Sequence, residues 1–162
     1  MRRQRWQFLA VLVTIVLGVM LFAASYDAYR NLEASYTDTY DRLAFADMTV
    51  TGADADFAGT AADIEGVAAV ETRRQGDTPI RIGDHLLQGR LIGMPPDEQP
   101  AINQIDIQEG SYLASARPNG VVVETHLAEQ LDLAVGDRLD VLAGSDWAET
   151  EVIGIAISAE YI

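Results

Sequence analysis

The longest apolar run in the chain lies near its start. From Trp6 to Tyr26 no residue is charged, and Arg5 and Asp27 bound the run. These 21 residues form a helix of roughly 31 Å, matching a hydrocarbon core of about 30 Å. Within Phe8–Ala24, eleven residues are Leu, Ile, Val or Phe. At about −0.3 to −0.6 kcal/mol each, they favour insertion by roughly 3–7 kcal/mol. Trp6 and Tyr26 fall where the aromatic belts of a bilayer would hold them, and Arg2, Arg3 and Arg5 orient the N-terminus toward the cytoplasm. The spacing then becomes amphipathic. Tyr26, Tyr29, Leu32, Tyr36, Tyr40 and Leu43 lie 3, 3, 4, 4 and 3 residues apart, a helical stripe about 120° wide. Neither Pro nor Gly occurs in Leu21–Thr51, so the pattern predicts a transmembrane helix that continues outward as a stalk. The stripe reads as packing against an external domain or a neighbouring membrane helix. A stacking surface for sugar or lipid headgroups is the sharper alternative, and nothing in the sequence favours it.

A cleaved signal peptide is the competing reading, with Ala23, Ala24 and Ser25 as small residues at a cleavage site. The apolar run exceeds the usual signal length of about 7–15 residues, and a cleaved peptide needs no helical continuation. We therefore expect an anchor at residues 1–43, with residues after about 26 outside the cytoplasm, and an external domain at 44–162.

Beyond Leu43 the chain breaks into short runs punctuated by Gly, Asp and Pro, the pattern of a mixed α+β domain. Phe45–Val50 reads as a strand. Asp56–Glu65 reads as a short helix with Ala58, Ala61, Ala62 and Ile64 inward and Gly66 as its stop. Val67–Arg73 reads as a second strand, which would complete a strand–helix–strand unit. Pro79–Ile82 and His85–Ile92 flank Gly83-Asp84 as a hairpin. Met94–Pro100 is an exposed proline-rich connector between two subregions, and Ile102, Ile105 and Ile107 lead to Gly110 as an irregular strand and turn. Val121–Val123 is a buried-type strand feeding the helix Glu124–Leu131. After the turn Leu133–Asp137 come a strand at Arg138–Leu142, a reversal at Gly144-Ser145-Asp146, and a last strand at Trp147–Ile157. Its wholly apolar half, Val152–Ile157, should be central or fully covered.

Charge narrows the function classes. Net charge is −14, with 11 basic against 25 acidic residues. Arg2, Arg3 and Arg5 carry +3, so eight arginines against 25 carboxylates leave −17 for the rest. Such a surface repels nucleic acid and anionic lipid, and it suits a soluble exterior. Every basic residue is arginine. A phosphate-loop lysine, a Schiff-base lysine and a Ser–Lys dyad are thereby excluded, so ATP hydrolysis belongs to another polypeptide. Cysteine is absent too, which removes disulfides and thiolate metal sites.

Candidate chemistry is sparse. His85 and His126 are the only histidines, and neither sits at metal-ligand spacing. Asp54-Ala55-Asp56, with Gly59 at the sixth position and Glu65 at the twelfth, superficially resembles a calcium loop. Ala58 at the fifth position and Ala62 at the ninth offer no side-chain oxygen, and the loop would replace the helix read there. Ser111, Ser115, Ser145 and Ser158 lack a nucleophile-elbow context. We therefore expect no catalytic, cofactor-binding or metal residues and no enzyme.

Several blocks together resemble the periplasmic core domain of FtsX/MacB-like ABC-transporter permeases. They are Asp41–Met48, Gly89–Pro95 and Gln108–Leu113. To these add Val121–Glu124 with Leu127-Ala128, then Leu133–Asp137, and Val152–Ala156 with Glu160-Tyr161-Ile162. No single block is specific; their order behind a membrane helix carries the resemblance. It implies a bacterial inner-membrane, non-catalytic permease subunit with further membrane helices beyond Ile162. It also implies a separate cytoplasmic ABC ATPase, a second permease copy or homologue, and a periplasmic adaptor as a further candidate partner. ATP-driven motion would be transmitted along the first helix to the external domain, where a substrate is handled or exported. Two lobes are expected, one of strand–helix–strand units beginning at 44–95 and a β-rich one at 100–160. The alternative is a single-pass anchored binding or scaffold module, although no sustained heptads support an adaptor. A tethered hydrolase lacks a nucleophile or metal site.

Overall fold

The computed structural model describes residues 2–54 and 56–161; Ala55 and Ile162, which fall in the calcium-loop and C-terminal blocks above, lie outside the described residues. The chain divides into two compact units, 1–41 and 42–162.

The first unit is α1 (Arg2–Arg42), whose last residue belongs to the second unit. It runs unbroken through span and stalk, as the absence of Pro and Gly after Gly18 predicts. Its apolar part is long and hydrophobic enough to cross a membrane, with a mean hydropathy of 2.6 over the best window. Thr14, inside that part, returns its hydroxyl to the Ala10 carbonyl at 3.0 Å, so this hydroxyl is satisfied within the helix. The stalk carries ordinary surface pairs, Arg30–Glu33 at 3.1 Å and Asn31–Asp27 at 3.4 Å. The stripe is real: Tyr29, Leu32, Tyr36 and Tyr40 line one shallow face with Glu33 and Thr37, and the Tyr36 and Tyr40 rings lie 6.1 Å apart.

The second unit is built on one six-stranded sheet in the order β2-β1-β5-β6-β3, with β4 pairing β6 in parallel. The strands are β1 (Gln75–Ile82), β2 (His85–Ile92), β3 (Ile105–Gly110), β4 (Gly120–Glu124), β5 (Arg138–Ala143) and β6 (Asp146–Ser158). Tight turns at Gly83-Asp84 and Gly144-Ser145 join β1 to β2 and β5 to β6, with Asp146, read as part of the second reversal, already in β6. The long β6 organises the sheet. Its first half pairs with β5, while Gly154–Ala156 has β3 on one edge and β4 on the other. The apolar run begins just before this segment with Val152 and Ile153, which are 0% and 1% exposed.

Parallel strands need a crossover. Here α3 (Thr125–Leu131) and β5 supply it between β4 and β6. Glu124 starts α3, its carboxylate accepting the His126 N–H at 2.7 Å. The core joins Ile80 and Ile82 of β1, Leu139 and Val141 of β5, Val123, Val152 and Ile155 with Ala128 of α3. Half-buried Leu127, Leu131 and Leu133 pack against it.

Three expectations need correction. Phe45–Val50 and Val67–Arg73 are not strands. Apolar and β-branched residues alone do not make a strand without a ladder neighbour, and Met48, Val50 and Val67 stay substantially exposed. The helix between them, α2 (Phe57–Ala62), is shorter than read and buries no residue; Ala62 and Ile64 face solvent. The strand–helix–strand unit read over residues 45–73 therefore does not form among these residues. Strands before and after the proline-rich connector share one sheet, because β1 pairs directly with β5.

Candidate functional site

A polar network of the second unit gathers around residues 99–106, the link between the proline-rich connector and β3. Gln99 begins it by mimicking a strand: its amide accepts from the Ile105 N–H at 2.8 Å and donates to the Ile105 carbonyl at 3.0 Å. The next residues turn back, with Asn103 in the left-handed region at φ 55°, a conformation asparagine tolerates better than most residues. This turn grips residues 42–46. Asn103 N–H donates to the Ala44 carbonyl and Gln104 N–H to the Leu43 carbonyl, both at 2.9 Å. The Ala46 N–H donates to Asn103 Oδ1 at 2.8 Å. Arg42 reaches Asp106 at 2.6 Å, and Leu43 is buried. We call this set the clamp.

The clamp extends to the end of the central strand. Asn103 Nδ2 donates to Glu160 Oε1 at 3.1 Å, and the same oxygen is paired with Arg73. Glu160 follows β6 in a short 3-10 turn (Ala159–Tyr161), and Arg73 precedes β1. Their side chains are only 16% and 24% exposed, so the pair is weakly screened and its hydrogen bonds matter. Asn103 and Glu160 are 57 residues apart. No local motif joins them, and the sole sequence signal was an asparagine in an irregular stretch.

A second cluster fixes the connector. Asp97 accepts from the Ser115 N–H at 2.9 Å and from its hydroxyl, while Tyr112 donates to the Pro95 carbonyl at 2.8 Å. The two Ser115 bonds hold the Asp97 carboxyl below its usual range. Burial, in turn, pushes the Tyr112 phenol up. Across the hairpin, Arg90 grips Asp77 with two bonds at 2.7 and 3.0 Å, lowering the carboxyl and raising the guanidinium. Arg81 lies 4.0 Å from the Trp147 ring centre and 3.5 Å from Asp140.

The sequence-level candidates do not converge. His85 is exposed beside its turn. His126 is also exposed, and its Nδ1 lies 2.9 Å from Glu124, whose hydrogen bond and charge raise its pKa. Among the described residues none of the four singled-out serines bonds to a histidine: Ser111 faces the Ile153 carbonyl, Ser115 Asp97, Ser145 Asp146, and Ser158 the Glu160 N–H. Asp54 Oδ1 accepts from the Phe57 N–H at 3.1 Å and so helps start α2 where a calcium loop would have run. Among the described residues no group of three or more His, Asp or Glu side chains is placed to hold a metal ion.

The chain thus joins one apolar N-terminal helix, long enough to cross a membrane, to an acidic α+β unit. Residues 8–161 match the model of the MacB-like periplasmic core domain, nearly the whole chain, and the protein belongs to that family. It is accordingly a membrane component of the ABC-transporter permease class. No curated protein matches the chain.

Proposed function

We propose that the chain is the non-catalytic subunit of an ABC transporter whose external domain couples the motion of a separate cytoplasmic ATPase to the handling or export of a substrate at the cell envelope. The N-terminus lies in the cytoplasm, and the residues after about 26 lie outside. The observation that carries this reading is continuity. A single helix runs from Arg2 to Arg42, and the residues that directly follow it are hydrogen-bonded into the sheet unit at Leu43, Ala44 and Ala46. A flexible tether would need neither an unbroken helix nor a clamp. The lack of lysine fits the same division of labour, since the phosphate-binding lysine of an ATPase must come from elsewhere.

The test is partner capture. The full-length protein, tagged at its own locus, is extracted from native membranes in mild detergent, and its co-purifying proteins are identified by mass spectrometry. An ABC ATPase recovered in stoichiometric amount is the expected result. Recovery of envelope proteins with no ATPase would replace this reading with an anchored scaffold.

A further inference from the structure

The clamp turns on the chemistry of one residue. Asn103 uses its backbone N–H on Ala44, its side-chain oxygen on the Ala46 N–H, and its side-chain N–H on Glu160. The amide presents an acceptor to a backbone donor and a donor to a carboxylate from two separate atoms of one short side chain. Aspartate would set a second carboxylate against Glu160. Alanine would make neither side-chain bond.

The gripped segment is held in a conformation that it does not favour. Ala44 stands at φ 49°, in the left-handed region, with no polar side chain to offset the cost. Leu43 is buried and Phe45 is 39% exposed, so packing shares the hold on this segment with the polar bonds. Polar bonds, most of them through Asn103 and its neighbour Gln104, oppose the backbone's own preference.

We propose that Asn103 is the positioning residue of a releasable latch. With its bonds made, residues 43–46 move together with Glu160 at the end of β6 and Arg73 before β1. With them broken, Ala44 relaxes to the right-handed region and the segment uncouples from the sheet. The latch takes its purpose from the coupling function proposed above, but its test does not depend on that function.

The chain contains no cysteine, so a Met48→Cys substitution at a site 79% exposed gives one spin label on the gripped segment. The full-length protein is reconstituted in lipid nanodiscs without any partner, and the line shape is recorded well below the melting temperature. In the otherwise native chain the label reports an ordered segment. Asn103→Asp should shift it to a mobile line shape. Adding Glu160→Gln should restore the ordered one, because the glutamine introduced at 160 donates to the new carboxylate at 103, which still accepts from Ala46. Asn103→Gly, which suits the local φ and removes both side-chain bonds, serves if the aspartate variant fails to fold; it should also mobilise the label. A role limited to stability would lower the melting temperature and leave the line shape unchanged. An ordered label in Asn103→Asp and Asn103→Gly overturns the latch, as does a mobile label that the double variant does not restore. No ATPase is present in the nanodisc, so failure here leaves the coupling function standing, and failure to capture an ATPase leaves the latch standing.

Discussion

Ala44 and Asn103 face each other across one hydrogen bond, both with positive φ, yet only asparagine is suited to it. An L-residue in the left-handed region costs about 1–2 kcal/mol, while glycine costs about 0.4–1 kcal/mol in unfolded-chain entropy. Ala44→Gly should therefore stabilise the protein by roughly 0.5–1 kcal/mol, visible as a small rise in melting temperature by circular dichroism. A fall would show that the Ala44 methyl group packs better than its geometry implies. His126 offers a pH-dependent counterpart. Its folded pKa is raised, chiefly by hydrogen bonding to Glu124. The stabilisation is thus complete below the unfolded value of about 6.5 and fades as pH climbs through the higher folded value. A proton NMR titration should find the His126 midpoint lowered in Glu124→Gln, and equal midpoints would refute the pairing. Neither site was legible as a site. Glu124 was read only as the first residue of a helix, although its partner lies two residues away. The partners of Asn103 at 44, 46 and 160 are brought to it only by the completed sheet.

The same distinction between local and distant determinants runs through the elements. The β1/β2 and β5/β6 hairpins announce themselves through Gly83-Asp84 and Gly144-Ser145, and α3 lies within the helix read at Glu124–Leu131. Phe45–Val50 and Val67–Arg73 have strand-like composition, but strand formation depends on neighbours that the sequence does not name. The centrality of β6 was readable from its apolar run; its two-sided pairing was not. That pairing makes Gly154 critical. A Cβ there would sit 2.4 Å from the Ser111 carbonyl oxygen and 3.2 Å from that of Glu109, and a backbone oxygen cannot swing aside as a side chain can. Gly154→Ala should separate β3 from β6 and cost about 1–3 kcal/mol, the range for overpacking. Ile153→Asp should be worse, because it buries an unpaired charge at a position 1% exposed. Thermal melting followed by circular dichroism ranks the two, and an unchanged melt for Ile153→Asp would mean that β6 is not core.

At the level of the whole chain, two opposing physical demands are kept apart along the sequence. The apolar run carries no charge, while the rest of the chain holds a large acidic excess that keeps its surface hydrated and repels anionic lipid. The energetics of the run are modest enough to be reversed. Its aliphatic and aromatic residues favour insertion by roughly 3–7 kcal/mol, and each arginine near the centre of a span costs about 2.5–3.5 kcal/mol. One substitution would leave many molecules inserted through snorkelling and local thinning of the bilayer. Two substitutions, at Leu12 and Leu17, together cost about 5–7 kcal/mol and cancel most of the driving force. The Leu12→Arg/Leu17→Arg chain, carrying an N-terminal epitope tag, should therefore lose its resistance to alkaline carbonate extraction, whereas the tagged native chain stays in the membrane pellet at full length. The tag separates anchor from signal peptide in the same experiment. If the run were cleaved, the native external domain would be released without its tag, and the double variant would accumulate as uncleaved precursor. A double variant that still resists extraction would show that something other than residues 6–26 holds this protein to the bilayer.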